Sequence, residues 1–178
     1  LSRGLGDVYK RQADDLAVDN KEDRRGVAGT IFFHKTLGAL AENGASLADI
    51  KEAAKALNPD IKSLGMATSP CTNPSDGKAS FNLEANEIEM GIGIHGEEGI
   101  KKEEMKAANQ IVDEMIDKIL TEVDDKDSQY ALMVNGMGAT PEMELYIVAN
   151  HAHDYLADKD IKIARTYIGN FMTSMDMA

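Results

Sequence analysis

The chain has 178 residues, formal net charge −12, 43% hydrophobic and 28% charged residues, enough for about one compact domain with an apolar core, or one and a fragment of another. The acidic balance, with basic residues scattered among acids, argues against nucleic acid and against an anionic membrane surface as partners. No apolar run approaches the length that spans a bilayer, and the single cysteine, Cys71, cannot form an internal disulfide, so a cytoplasmic setting is the simplest reading.

Leu1–Gln12, "LSRGLGDVYKRQ", has no clear period and is expected to be a non-native, adapter-derived segment, outside the fold. The other end, "FMTSMDMA", stops on an apolar run and is expected to be cut short. Between them, "RRGVAGTIFFHKTLGALAENG" reads as a helix. Val27, Ile31, His34 and Gly38 lie along one side, Phe33, Leu37, Leu40 and Ala41 along another, and Gly44 ends it. "SLAD" offers a capping box from Ser46 and Asp49 to a second helix that Pro59 interrupts. "SLGMATSPCTNPSDGK" passes into a turn-rich loop. In "ASFNLEANEIEMGIGIH", Phe81 and Leu83 alternate, "EAN" turns, and a strand follows. Ile88, Met90, Ile92 and Ile94 fall on one face of it, with Glu87, Glu89, Gly91, Gly93 and His95 on the other.

"KKEEMKAANQIVDEMIDKILTEV" has the strongest helical period, through Met105, Ala108, Val112, Met115 and Ile119, with Glu103 and Glu104 expected in its early turns. "QYALMVNGMG" is a strand leading into a glycine turn. "ATPEMELYIVANHAHDYLADKD" is a helix with Thr140 as N-cap, Pro141 at N1 and a buried stripe of Leu145, Val148, Ala149, Ala152, Tyr155 and Leu156. "IKIARTYIGNFMTS" is a final strand. This order predicts an α/β protein, a two-layer α+β sandwich whose mixed sheet carries helices mainly on one face.

His95 is the first candidate for chemistry. A lone histidine near a strand end is more often structural. Here it falls on the polar face above Gly91 and Gly93, which leave open floor before the ring, as glycines do where a ligand or another backbone approaches. Glu97 and Glu98 follow; either could accept from Nδ1–H and leave Nε2 outward, fit to act as general base or nucleophile. A metal site is not expected. His151 and His153 are two apart on a helix and do not share a face, so both read as solvated surface. His34 reads as a packed or partly exposed core neighbour. "NGMGATPE" could bind an anion at its helix N-terminus, but a tight connection using Gly136 and Gly138 is the better reading. Cys71 reads as a buried, inert thiol.

The segments "RRGVAGT", "CTNPSDGKASFNLEANEIEMGIGIHGEEGI", "VNGMGATPEMELY" and "IGNFMTSMDMA", in that order, resemble the substrate-binding (K) subunit of the dihydroxyacetone kinase family, C-terminal half. The resemblance covers Ala13 to Ala178. It implies a linker or end of a first domain over residues 13–26 and a second domain, truncated at its C-terminus, over 27–178. It also implies a phosphotransferase: His95 adds through Nε2 to the substrate carbonyl as a covalent hemiaminal, and the terminal hydroxyl is then phosphorylated.

Gly93 and Gly96 are implied in substrate binding beside His95. Glu97 is a hypothetical partner of Nδ1, from its place two residues on. No cofactor is expected on this chain. The phosphoryl donor, ATP or ADP with Mg, belongs on a nucleotide-binding L subunit or a fused ATP domain, and the subunit is expected to be a homodimer. The family's "GGGSGHE"-type loop and its acid, features of the first half, are not among these residues, so the fragment alone is expected to be inactive. The alternative is a dihydroxyacetone-sensing regulatory paralogue, a transcriptional co-activator without turnover.

Overall fold

The computed structural model describes residues 13–94, 97, 99–125 and 127–178. Leu1–Gln12, expected to be adapter-derived, lies outside them, as do His95, Gly96, Glu98 and Lys126. The chain divides into two compact units, one ending at Ser63 and the other beginning at Leu64. The boundary expected between residues 26 and 27 falls inside the first unit.

The first unit is organised by two buried aspartates. Asp14 accepts the backbone N–H of Val27 (3.0 Å) through Oδ1 and that of Gly29 (2.8 Å) through Oδ2. Gly29 is the N-cap residue of α1 (Thr30–Glu42) and has no side chain to cap with. A carboxylate from fifteen residues earlier therefore takes a free donor of the helix's first turn. Asp15 pairs with the Arg25 guanidinium (Nη2, 2.5 Å) and accepts from Ala17 N–H (2.9 Å). Burial nonetheless pushes its carboxyl above the ordinary value. Because Asp14 holds Val27 and Gly29, the helix starts at Thr30 rather than within "RRGVAG".

At the other end of α1, Gly44 adopts φ +83°. Its N–H bonds to Ala41 O, and Ala45 N–H bonds to Leu40 O, the two bonds of a Schellman cap. The Ser46–Asp49 capping box is present at α2 (Leu47–Leu57), and Pro59 lies in the 3-10 turn Asn58–Asp60 that follows. Phe33 faces inward. His34 is exposed, not a core neighbour, because the buried side of α1 centres on Phe33 one residue before it.

The second unit is a mixture of helices and two small sheets. β1 (Met66–Ala67), β2 (Glu87–Met90) and β3 (Lys101–Glu104) form an antiparallel sheet in that order. β4 (Gln129–Asn135) and β5 (Lys162–Gly169) pair in parallel. The crossover that parallel strands require is α4 (Glu142–Asp158). α3 (Ala108–Leu120) packs on α4. Val112 and Ile116 of α3 meet Ala152 and Leu156 of α4, and Ile161, in one buried cluster. Ile161 N–H also bonds to Leu156 O in the Schellman cap of α4, which places Asp160 at φ +61°.

Three expectations are corrected. Lys101–Glu104 is a strand, not the first turn of α3: it pairs residue by residue with β2, and the helix begins at Ala108. Thr140 is not the N-cap of α4; Pro141, with ψ 145°, holds that position without a side-chain cap. The alternation expected through His95 stops at Met90, because Gly91 turns the chain with φ +78°.

The charged hairpin is tied to α3 through ion pairs. Glu103 meets Lys101 (2.9 Å) and Lys106 (2.8 Å), and Lys106 meets Glu114 (2.5 Å). The hydrogen bond from Lys106, then that from Lys101, holds the Glu103 carboxyl below the ordinary 4.5. A carboxyl depressed in the folded state contributes stability above pH 4.5 that is lost as pH falls through its folded value. Glu103→Gln is therefore expected to flatten the acid limb of the stability–pH curve, read by urea unfolding between pH 3 and 7, while leaving its shape near neutrality. In the first unit, Asp14→Ala leaves two backbone donors without their acceptor and is expected to cost about 3 kcal/mol in the same assay.

Candidate functional site

Met90 pairs with Lys101, so the described residues 91–94, 97, 99 and 100 lie on the connection that joins β2 to β3. The chain is held where it enters this loop. Gly91 N–H donates to Gly65 O (2.7 Å), and a side chain on Gly65 would press on Ile92 O (2.7 Å). Gly91, Ile92 and Gly93 are all buried. The chain is held again where it leaves: Gly99 N–H donates to Glu89 Oε1 (2.7 Å) and Ile100 N–H to Met90 O (2.7 Å). Within the loop, Gly93 N–H reaches Glu97 O (3.4 Å), which folds the described ends of the segment toward each other.

Ile92 is the loop's anchor. It is 2% exposed and packs with Ala67, Cys71 and Met177, flanked by Phe81 and Met137. Around Ile92 this cluster gathers three regions far apart in sequence: the end of β1 with the turn-rich loop that follows it, the strand-to-helix turn and the C-terminal segment. Polar contacts fix the same convergence. Asp176 accepts from Thr72 N (2.6 Å) and Oγ1 (2.7 Å), first the backbone and then the hydroxyl bond holding its carboxyl below the ordinary value. Ala178 O accepts from Thr68 N (2.6 Å) and Ser69 N (3.1 Å). The Asn135 amide accepts from Phe171 N and Met172 N (2.9 Å each) and donates to Met172 O (2.7 Å).

The turn "NGMG" serves the backbone, as expected. A side chain on Gly136 would strike Asn170 Oδ1, and one on Gly138, at φ +134°, would strike Met175 O. Cys71 is buried, its Sγ 3.1 Å from Ser80 Oγ.

Of the site residues read from sequence, Gly93 and Glu97 are on this loop as described, Gly93 buried and Glu97 partly so. His95 and Gly96 lie outside the described residues. His153 is exposed, as expected, and its Nε2 meets Thr166 Oγ1 (2.7 Å); His151 is corrected from solvated surface to a half-buried side chain whose Nε2 meets Asp113 Oδ1 (2.7 Å). Among the described residues no group of three or more His, Cys, Asp or Glu is arranged to hold a metal ion. No helix among them is long and apolar enough to cross a membrane. An open groove of about 460 Å³ runs along α4 past Met143, Tyr146, Ile147 and Asn150, and none of the described residues of the hairpin loop lines it.

Sequence reasoning missed Glu89. Alternation set it on a solvated face, yet it is 2% exposed, with Oε2 bonded to nothing among the described residues. An unsatisfied buried acceptor costs on the order of 1–3 kcal/mol. The signal that could have found it is Gly99, where a Cβ would stand 2.9 Å from Glu89 Cγ.

Residues 9–178 match the Dak1 domain. The chain belongs to the Dak1 domain family. It is 45% identical over 169 residues to the dihydroxyacetone-binding subunit DhaK of the PTS-dependent dihydroxyacetone kinase of Lactococcus lactis subsp. lactis, across 93% of this chain and 51% of that protein. Its backbone superposes on the dihydroxyacetone kinase operon co-activator Dha-DhaQ with a TM-score of 0.87 at 38% identity, over 94% of this chain and 53% of that one. Against the dihydroxyacetone kinase from C. freundii in complex with AMP-PNP and Mg2+, the TM-score is 0.82 at 30% identity, over 93% and 30%. This Dak1 domain chain thus spans about half the length of the curated relatives it matches.

A side chain at Gly99 would meet both Met90 O and Glu89. Gly99→Ala is expected to lower stability by roughly 2 kcal/mol through the backbone shift it forces. Gly38→Ala, in an open position within α1, is expected to raise it by about 0.5–1 kcal/mol. Thermal unfolding of the two variants should show shifts of opposite sign.

Proposed function

We propose that this chain is part of the dihydroxyacetone-binding subunit of a dihydroxyacetone kinase, and that His95 captures the substrate as a covalent hemiaminal. The observation that carries this reading is the loop tethered at both ends, through Gly65–Gly91 on one side and Glu89–Gly99 on the other. Both described ends of the segment that carries His95 are tied to the sheet, the kind of support a positioned nucleophile needs. Family membership and 45% identity to a dihydroxyacetone-binding subunit add the substrate class.

In the proposed step a neutral imidazole attacks the carbonyl carbon through Nε2. The N–C bond forms, the C=O π pair moves to oxygen, and that oxygen takes up a proton. The ring gives up its Nδ1 proton, so the adduct is neutral. Glu97 is proposed as the group that accepts from Nδ1–H, and the backbones of Gly93 and Gly96 as the close floor for a three-carbon ketone. Glycerol has no carbonyl and forms no adduct. The captured substrate then offers its terminal hydroxyl to a phosphoryl donor, ATP or ADP with Mg, held by a nucleotide-binding L subunit or a fused ATP domain. We place the subunit in a homodimer and in the cytoplasm. The 178 residues by themselves are expected to capture weakly and to turn nothing over.

The second reading is a dihydroxyacetone-sensing co-activator without turnover. The superposition on the operon co-activator, with its TM-score of 0.87, favours it. Adding a nucleotide-binding subunit and ATP separates the two, since only the kinase reading yields dihydroxyacetone phosphate.

Intact-mass measurement of the full-length polypeptide with dihydroxyacetone is expected to show a gain of one substrate, absent with glycerol and absent in His95→Ala. Unmodified wild-type protein at saturating substrate would overturn the reading. Glu97→Gln is expected to lower the adduct yield; an unchanged yield would remove Glu97 from the mechanism.

A further inference from the structure

α4 buries Leu145, Ala149, Ala152 and Leu156 on one side. A surface helix ordinarily turns polar residues to the other side, yet there Met143 is 70% exposed, Tyr146 57% and Ile147 50%. With Asn150 they stand at i, i+3, i+4 and i+7, one continuous row. They line the open groove of about 460 Å³, to which Asn109 of α3 adds a wall. The groove is braced before anything binds. α3 and α4 run side by side in the same direction, since Asp113 meets His151 (2.7 Å) and Asp117, one turn on, meets Tyr155 (3.0 Å). A stiff groove with an apolar row is the shape that receives the apolar edge of a helix.

Charge decides what kind of helix fits. α4 has no Lys or Arg between Glu142 and Asp158. Asp154 lines the groove beyond the apolar row, and Asp158 follows one turn later. Both are exposed and make no ion pair or side-chain hydrogen bond among the described residues. Both stand toward the C-terminal end of α4, where the helix dipole disfavours acids. The cations that flank the two helices are engaged elsewhere: Lys106 with Glu103 and Glu114, Lys159 with Asp117. A second copy of the chain fits poorly. Two α4 helices face to face set acids against acids in either direction, Glu142 and Glu144 at one end, Asp154 and Asp158 at the other. We propose that this groove docks an amphipathic helix of another polypeptide. Its apolar edge lies on Met143, Tyr146 and Ile147, and Lys or Arg side chains at one end of it meet Asp154 and Asp158.

The test uses the full-length polypeptide and two labelled synthetic helical peptides, with binding read by fluorescence anisotropy at low and at physiological salt. One peptide has leucines at i, i+3, i+4 and i+7 and lysines at one end. In the other the same residues are scattered around the helix. The patterned peptide is expected to bind about tenfold more tightly than the scattered one. Tyr146→Gln with Ile147→Gln is expected to remove that advantage. Asp154→Asn with Asp158→Asn is expected to weaken binding and flatten its salt dependence. All four positions are exposed, so both double variants keep the fold. Equal binding of the two peptides would overturn the proposal, as would wild-type affinity in either double variant. Two further results would assign the groove to another occupant and sink the proposal in the same way. One is a Tyr146 that resists acetylation in the free full-length polypeptide, which would show the groove covered by the rest of that polypeptide. The other is a dimer that Tyr146→Gln with Ile147→Gln dissociates, which would give the groove to a second copy.

Discussion

The entry to the hairpin loop depends on the burial of one isoleucine side chain. Ile92 is the first residue after the turn at Gly91, and its seat among Ala67, Cys71 and Met177 fixes where the hairpin loop begins. Nothing in the loop's own sequence would define that position, for a glycine-rich loop has much backbone entropy to lose and little side chain to lose it for. The ordering comes from outside. Gly65 gives up its side chain so that its carbonyl can take Gly91 N–H, and Met177 closes the cluster from the far end of the chain.

That arrangement explains why distant segments belong together. The bonds from Thr72 to Asp176, from Thr68 to Ala178 O and from the 171–172 backbone N–H groups to Asn135 touch no candidate site residue. The first two join the chain neighbours of Ala67, Cys71 and Met177, the residues packed around Ile92. The parallel pair β4 and β5, crossed over by α4, delivers both the "NGMG" turn and the C-terminal segment to that place. The glycines divide by task. Gly136 and Gly138 admit backbone and amide groups from the C-terminal segment, whereas Gly91 and Gly99 shape the loop's entrance and exit.

Much of the fold was legible where local rules act alone. Gly44 ended α1 because only the left-handed region completes its cap, and Ser46 and Asp49 announced α2 by a reciprocal bond between near neighbours. The stripe from Leu145 to Leu156 was readable because a helix repeats its buried face. What failed was local pattern overruled by pairing. Lys101–Glu104 is polar and suits a helix start, yet β2 supplies an edge and takes it as a strand. Glu89 looked solvated because alternation assigns a face without knowing what covers it; here the covering group is the loop returning through Gly99. His151 looked exposed because its partner, Asp113, lies on another helix. The stretch that carries Gly93 and Glu97 stood out in the sequence through its glycines, but alternation read Gly93 as strand where the structure turns at Gly91. The tethers of that stretch were not legible, since each joins residues that share no period.

The central proposal is that His95, on a segment tethered at its described ends, traps a small ketone through its imidazole. Its most direct test is carbon-13 magnetic resonance of dihydroxyacetone labelled at the carbonyl, bound to the full-length polypeptide with nitrogen-15 histidine. The account predicts that the labelled carbon leaves the ketone region for that of a tetrahedral carbon bearing nitrogen and oxygen, with one-bond coupling to a histidine nitrogen that His95→Ala abolishes. A bound signal that stays in the ketone region, or a tetrahedral signal that survives His95→Ala, would contradict it.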